Sequence, residues 1–579
     1  MLKRLLRWLI RIAVVGGVIF VIVVASRYLS HRYSPGSVIA LKLDGPVVER
    51  GDGSTLGFFA SHQSALDVIR RSLKGAENDP RIAGLAIKVI DPQMELAQAQ
   101  ELRNMIREFR AHGKWTTAYM ETAGESGSGN LPYLVASSAD EVSMMPQGEM
   151  NLLGVGIREI FARGALDKLD IVPNFDAIGK YKDAGNIFTQ KNFTEAQFEE
   201  DNSLVSGIFG QIVSETAANR HLSPDAITAV VDRAPITAAD GLNSHLLDRL
   251  EYEDQFDQRV KQYRGQHHDL IKYQSYATPR LWPFASHPGI AVVYGLGAIV
   301  RGQAGYDPVL SPGGTSMGSD DIVGAFNEAR KDSSIRAVVF RIDSPGGSVI
   351  ASELIRRAVE RCARKKPVVV SMSGYAASGG YWIATPAAMI FADQGTVTGS
   401  IGVLGGKFNV AGATSAIGIN TGSITRGRNA DMFDAFTNFT PEQAQIFHNQ
   451  ILGQTYDYFL QIVAKRRQLT VAQVDAIAQG RVWTGAQAAQ NKLVDRIGGF
   501  DTALTEAKTL AKINPRERVR LVEYPAQPGL LSKLLSGQVY GATRLKAPRT
   551  LAPLLWMLRE SIANRAITGQ AYCPLVPVM

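Results

Sequence analysis

The sequence contains the same domain twice, and no fold that cannot be built twice in tandem is compatible with it. Val38 to Gly51 (VIALKLDGPVVERG) matches Gly289 to Gly302 (GIAVVYGLGAIVRG), with Arg50-Gly51 over Arg301-Gly302. Asp79 to Pro92 matches Asp332 to Pro345, and Tyr133 to Val155 matches Tyr381 to Val403 without a gap. Asn192-Phe193-Thr194 pairs with Asn438-Phe439-Thr440, and Leu247-Asp248-Arg249 with Val494-Asp495-Arg496. The blocks keep their order at offsets of 246 to 253, the mark of one ancestral domain duplicated. A chain of 579 residues has room for both copies and for short extensions. The expected layout is an N-terminal segment 1–33, a first repeat 34–287, a second repeat 288–520 and a tail 521–579.

Within each copy short apolar, β-branched runs alternate with amphipathic stretches. In the second, Ala337–Ile342 and Pro367–Met372 read as buried strands. Ile350–Lys365 reads as the helix between them, with Ile350, Leu354, Ala358 and Cys362 spaced at fours. Strand, helix and strand repeated in this way predict an α/β fold with parallel sheets and right-handed crossovers, whose function gathers where strands lead into helices.

The net charge of +8 raises the question of nucleic acid. Its placement answers it. Residues 1–33 carry +6 and residues 530–579 carry +5, which leaves the body at −3. Such a body lacks the cationic footprint that a phosphate backbone requires, so no nucleic-acid partner is expected. The basic ends read instead as membrane-surface features. Lys3, Arg4, Arg7 and Arg11 precede an uncharged run from Ile12 to Ser26, and Arg27 and Arg32 follow it. Fifteen helical residues rise about 22 Å against a hydrocarbon core of about 30 Å, but snorkelling Arg7 and Arg11 allow the helix to start near Leu5 or Trp8. One uncleaved transmembrane helix is expected, in preference to a signal peptide cut after Val23-Val24-Ala25, with the N-terminus in the cytoplasm and the body outside it. In the tail, Leu551, Leu554, Leu555, Leu558 and Ile562 fall on one helical face, suited to a membrane interface or to a core or oligomer contact. Cys362 and Cys573 are too few for a disulfide framework and too scattered for a zinc site, and no cofactor or metal is expected.

Three glycine-rich segments of the second copy sit at strand ends: Asp343-Ser344-Pro345-Gly346-Gly347-Ser348, Gly374 to Tyr381 (GYAASGGY) and Thr398-Gly399-Ser400-Ile401-Gly402. A glycine pair entering a helix aims backbone N–H groups at one point, as a developing oxyanion requires. Ser378, flanked by small residues at a helix start, is a candidate nucleophile. Its base is open at this level: none of the nine histidines lies in these segments, so a histidine must come from afar or a buried lysine must serve as the free amine.

These motifs, in this order and spacing, resemble those of the signal peptide peptidase A family, also called protease IV, in its long two-repeat form. The resemblance covers about residues 1–520. It implies two tandem ClpP/crotonase-like repeats behind one N-terminal transmembrane helix, and a serine endopeptidase with a Ser-Lys dyad. Carried over residue by residue, the nucleophile is Ser378 and the base is Lys182, in Gly179-Lys180-Tyr181-Lys182-Asp183-Ala184; Ser400 holds the lysine, and Gly347 and Gly379 are the oxyanion donors. The resemblance further implies that the substrates are released signal peptides and other extended apolar peptides. It also implies a homotetramer, attached to a bacterial inner membrane through lipid contact of the N-terminal helix, with the catalytic body on the periplasmic side.

The duplication bears on this assignment. Ser378 falls on Asn130 and Ser400 on Leu152 in the first copy, while Lys182 falls on Arg428 in the second. Arginine does not lose its proton at working pH, so each copy keeps a different half of the dyad and one composite site between copies is expected. Lys180 is the competing base, and alternation in an extended strand would put Lys180 and Lys182 on one face. Asp183 departs from the small polar residue of some members. A carboxylate there would raise the lysine pKa, so it must point away or be engaged elsewhere. Two other readings are kept: a crotonase-like acyl-thioester enzyme, which shares glycine oxyanion loops and the segment at 480–495 that opens Gly-Arg-Val-Trp-Thr-Gly and closes Leu-Val-Asp, and a non-catalytic membrane scaffold.

Overall fold

A computed structural model describes residues 33–51, 63–125, 127–277, 287–305, 316–526 and 567–572. The expected transmembrane helix and the apolar tail helix lie outside the described residues. Among the described residues, no helix is long and apolar enough to cross a membrane. The chain is α/β and divides into two units. The first holds residues 1–94, 102–153 and 215–286; the second holds 95–101, 154–214 and 287–579.

The first unit is built on a parallel sheet in the order Leu270–Lys272, Ser37–Val48, Ile82–Gln93, Trp115–Met120, Glu141–Met144, Arg249–Leu250. Trp115–Met120 is buried at every position, the pattern of a strand covered on both faces. The second unit repeats this order with Arg520–Tyr524, Gly289–Leu296, Ile335–Ser344, Val368–Ala377, Met389–Ala392 and Arg496–Ile497, all parallel. Strand for strand, the duplication read from sequence is a duplication of topology. The side chains of the second sheet feed two cores. Ala291, Val293, Val338, Phe340 and Ile342 enter one, while Ile290, Val292, Tyr294, Ala337 and Val339 enter the other. Period-2 alternation with both faces apolar is what a helix-covered parallel sheet demands.

The helix between the two expected strands spans Val349–Ala363, and Ser348 caps it by accepting from the Ala351 N–H. Its buried face holds Ala351, Ile355, Ala358, Val359 and Cys362, whereas Ile350 and Leu354 are exposed. A strict spacing of four drifts around a helix of 3.6 residues per turn, so the stripe starts on the solvent side at Ile350 and reaches the core only at Ala358 and Cys362.

A further sheet in the second unit runs Met317–Gly318, Ile299–Val300, Gly346–Ser348, Ile567–Tyr572, Val403–Asn409, Val172–Ile178. Its last strand comes from the first sequence repeat. Val172–Ile178 pairs antiparallel with Val403–Asn409 over seven residues, from Val403 opposite Ile178 to Asn409 opposite Val172. This pairing draws residues 154–214 into the second unit, so the boundary between sequence copies is not the boundary between units.

Candidate active site

Ser378 closes the fully buried strand Val368–Ala377 and caps the short helix Gly379–Ala384. Its φ is +54° and its ψ −115°, strained values for a residue with a Cβ, and its N–H is tied to the Gly399 carbonyl at 2.8 Å. Ser400 also has positive φ, +50°, and its N–H donates to the Arg481 carbonyl at 2.7 Å. Sharp turns at two strand ends thus present two hydroxyls to one place.

Lys182 arrives four residues after the strand Val172–Ile178, whose Ile178 lies opposite Val403. The chain turns sharply there: the Tyr181 N–H donates to the Gln479 carbonyl at 2.8 Å and the Lys182 N–H to the Gly179 carbonyl at 3.0 Å. Lys182 Nζ stands 2.9 Å from Ser378 Oγ, 2.9 Å from Ser400 Oγ and 3.3 Å from the Ser400 carbonyl oxygen. Ser378 is 0 % and Lys182 4 % exposed. All three residues belong to the second unit, so the lysine and the serine from different sequence copies meet inside one unit rather than between two.

Lys180 does not share this face. It is 61 % exposed, lies over the Tyr181 ring at 4.4 Å and pairs with Glu199 at 3.9 Å. Strand alternation does not apply, because the strand ends at Ile178.

Gly347 lies in the strand Gly346–Ser348 at φ +150°, and a Cβ there would come within 2.2 Å of the Ile299 carbonyl oxygen. Only glycine fits. Gly379 is the first residue of its helix, where an N–H has no acceptor within the helix. The position a Gly379 Cβ would take is 3.2 Å from the Gly347 nitrogen, so the two backbone donors are neighbours.

A family model described as Peptidase family S49 matches residues 108–267 and 360–514. The chain belongs to peptidase family S49. The two matched stretches correspond to the two repeats, with Lys182 in the first and Ser378 and Ser400 in the second. The S49 chain is 30 % identical over 516 residues to Protease 4 of Salmonella typhi, covering 86 % of this chain and 80 % of that one. It is 29 % identical over 536 residues to the chloroplastic serine protease SPPA of Arabidopsis thaliana, covering 91 % and 77 %. Family and relatives support the class of serine peptidase. Among solved structures, a ClpP1 variant from Listeria monocytogenes overlaps 38 % of this chain and 94 % of its own at 12 % identity and a TM-score of 0.24.

Sequence reasoning missed how this S49 chain braces its lysine. Besides the Gln479 carbonyl, Gly480 packs so closely that a Cβ there would lie 2.5 Å from the Lys182 nitrogen. Arg481 donates to the Tyr181 hydroxyl at 3.0 Å and to Glu199 at 2.6 Å. The segment 479–482, which also invites the thioester reading, is here the wall that holds Lys182 and Ser400.

Asp183 is 5 % exposed, and neither carboxylate oxygen has a hydrogen-bond partner. Burial first, then the charges of Glu159 and Asp201, push its carboxyl up to about 7, against a smaller pull downward from Lys182. Burial and Glu159 likewise push Asp201 up to about 7, and burial and Asp183 raise Glu200 well above the usual carboxylate range. Asp183 is therefore engaged neither by an ion pair nor by solvent. Its anion, the threat to a free lysine, is disfavoured up to about neutral pH by a dry, acidic neighbourhood. Nothing in the local sequence signals this, because Glu159 and Asp201 reach Asp183 only through folding. Among the described residues, no group of three or more His, Cys, Asp or Glu side chains could hold a metal ion.

Proposed function

We propose that this chain is a serine endopeptidase in which Lys182 is the general base and Ser378 the nucleophile. The observation that carries the reading is the 2.9 Å separation of Lys182 Nζ and Ser378 Oγ in a buried pocket. Burial penalises an ammonium relative to the free amine, and a free amine at that distance can take the hydroxyl proton. Ser378 Oγ then attacks the peptide carbonyl, and the N–H groups of Gly347 and Gly379 receive the negative charge on its oxygen. Lys182 returns the proton to the leaving amine. An acyl-enzyme on Ser378 remains, and a water deprotonated by the same lysine hydrolyses it. Ser400 Oγ, 2.9 Å from Nζ, fixes the amine in line.

The preferred substrates in this reading are extended apolar peptides, released signal peptides among them. They would be cut outside the cytoplasm of a bacterial cell, at the inner membrane to which residues 1–33 anchor a homotetramer. A fluorophosphonate is expected to label Ser378 covalently and stop peptide hydrolysis, and Lys182→Ala and Ser378→Ala are each expected to lower kcat by about 10⁴-fold or more. Unchanged hydrolysis in both variants, or thioester turnover without labelling, would refute the reading.

A further inference from the structure

In a parallel sheet every strand starts at one edge, and each helix that feeds a strand ends there. Ser378 and Gly347 lie past strand ends, on the opposite edge. Five segments of the second unit form the start edge. Residues 328–336 lead into Ile335–Ser344, 360–366 into Val368–Ala377, 492–496 into Arg496–Ile497 and 506–520 into Arg520–Tyr524. Residues 464–467 close the helix Gln454–Arg467, and Arg466 donates to the Ala388 carbonyl directly before Met389–Ala392.

These segments hold seventeen Lys and Arg against six Asp and Glu, a net +11 within a body, residues 34–529, of −3. The corresponding segments of the first unit, 75–83, 108–114, 217–220, 245–249 and 256–270, are equal in length and also hold six acids, but eight bases, a net +2. Helix ends favour cations in any fold, since the macrodipole is negative there. Both units make that demand, and the first meets it with +2. The nine additional bases therefore answer to something other than the scaffold. Shared duties are matched, for Lys114 and Lys366 each tie down two carbonyls. The surplus faces water: twelve of the seventeen bases are exposed. Arg364 and Arg496 pair with Glu360 and Glu506, whereas Arg336, Arg361, Lys365, Lys512, Arg516 and Arg518 form no ion pair among the described residues.

The anion that suits this edge is a bilayer. The charges are spread over one end of a sheet and its helices rather than along an element that could enter a duplex groove. The five segments contain no aromatic residue on which a single strand could stack. The anchor proposed for residues 1–33 keeps the body beside lipid, and each Lys or Arg within a Debye length of an anionic surface adds to the attraction.

We propose that the start edge of the second unit's parallel sheet docks on an anionic lipid bilayer. The ten residues of Val368–Ala377, rising about 3.3 Å each, then hold Ser378 about 30 Å from the lipid, so a peptide reaches it from the aqueous side after leaving the bilayer. The proposal rests on the membrane attachment read from residues 1–33 and is independent of the dyad.

The test reconstitutes the full chain in vesicles of phosphatidylcholine, alone or mixed with phosphatidylglycerol. On a Cys573→Ser background, with Cys362 buried, a dye is placed at Arg361→Cys or at Lys180→Cys, and a quencher on the lipid headgroups reports contact. Flotation with both vesicles is expected from the anchor. Quenching at residue 361 should be about fivefold stronger in the anionic vesicles, absent at residue 180, and lost in about 1 M salt, where the Debye length is about 3 Å. Lys512→Glu with Arg516→Glu and Arg518→Glu should reduce it to the phosphatidylcholine level, as should Arg336→Glu with Lys365→Glu, while fluorophosphonate labelling of Ser378 stays unchanged. Equal quenching in the two lipids, equal quenching at residue 180, or no response to either charge reversal would overturn the proposal and leave the anchor standing. Tight binding of an oligonucleotide at physiological salt, without preference between the lipids, would overturn it in favour of a nucleic-acid surface. Flotation with the anionic vesicles alone would sink the anchor and support the edge; flotation with neither would sink both.

Discussion

In the first unit the Tyr133 hydroxyl donates to the Leu246 carbonyl at 2.6 Å; in the second, Tyr381 donates to Leu493 at 2.8 Å. Asp248 accepts from the Val142 N–H at 2.7 Å, as Asp495 does from Ile390 at 2.8 Å. Arg220 pairs with Asp248 and Arg467 with Asp495. Lys114 Nζ ties down the Asp79 and Ile82 carbonyls, and Lys366 those of Ala329 and Asp332. Set against this agreement, the chemistry is one-sided. Where the second unit places Ser378 at a strained helix cap, the first places Asn130, buried in the first turn of its helix. Where the second has Ser400, the first has Leu152, and the counterpart of Lys182 is Arg428, exposed to solvent. The difference teaches that the two kinds of interaction answer to different demands. Each copy must satisfy its own buried carbonyls and amides, because leaving one unpaired costs about 1–3 kcal/mol. A nucleophile and its base are needed once per site.

Lys182→Arg gives the second unit's lysine the character of its counterpart Arg428 and breaks the asymmetry most severely. A guanidinium keeps its proton, so kcat should fall by about 10⁴-fold, as with alanine, in a steady-state peptide assay. The reciprocal change, Asn130→Ser, should create no second site, since the second copy carries Arg428 where the first carries Lys182.

Tyr133→Phe and Tyr381→Phe test the shared scaffold. Each strips a donor from a buried carbonyl and should lower unfolding free energy by about 1–3 kcal/mol in denaturant titrations. Comparable losses would sharpen the comparison; a loss in only one unit would break it.

Asp183→Asn carries the smallest expected effect. Burial and the charges of Glu159 and Asp201 push the Asp183 carboxyl up to about 7 in the folded chain, from an ordinary 3.8. Between those values the folded state binds the extra proton, so this group's stabilisation is full below pH 4 and is lost as pH rises through 7. Asparagine should flatten the decline of the thermal midpoint over that window. It should also move the rise of kcat/KM to lower pH, because no anion forms beside Lys182 above neutrality.

Much of the fold is legible in the sequence because buried parallel strands are continuous apolar runs and glycine turns are local. Val368–Ala377, the helix from Val349 and the turn at Ser378 all follow from patterns a few residues long. The choice of Lys182 over Lys180 comes from the family motif, while the physical reason for it, a turn braced by Gln479 and Gly480, does not appear in any local pattern. The carboxyl cluster around Asp183 is equally invisible, since Glu159 and Asp201 lie 24 and 18 positions away along the chain.

By itself, the sequence determined a doubled α/β chain, its strands and glycine turns, and which copy carries Lys182 and which carries Ser378 and Ser400, because periodicity and residue chemistry are properties of short segments. Tertiary structure decided that residues 172–178 pair with 403–409 and that Lys182 thereby enters the unit of Ser378. Those outcomes depend on backbone hydrogen bonds between segments more than a hundred residues apart, and such bonds have no sequence period to announce them.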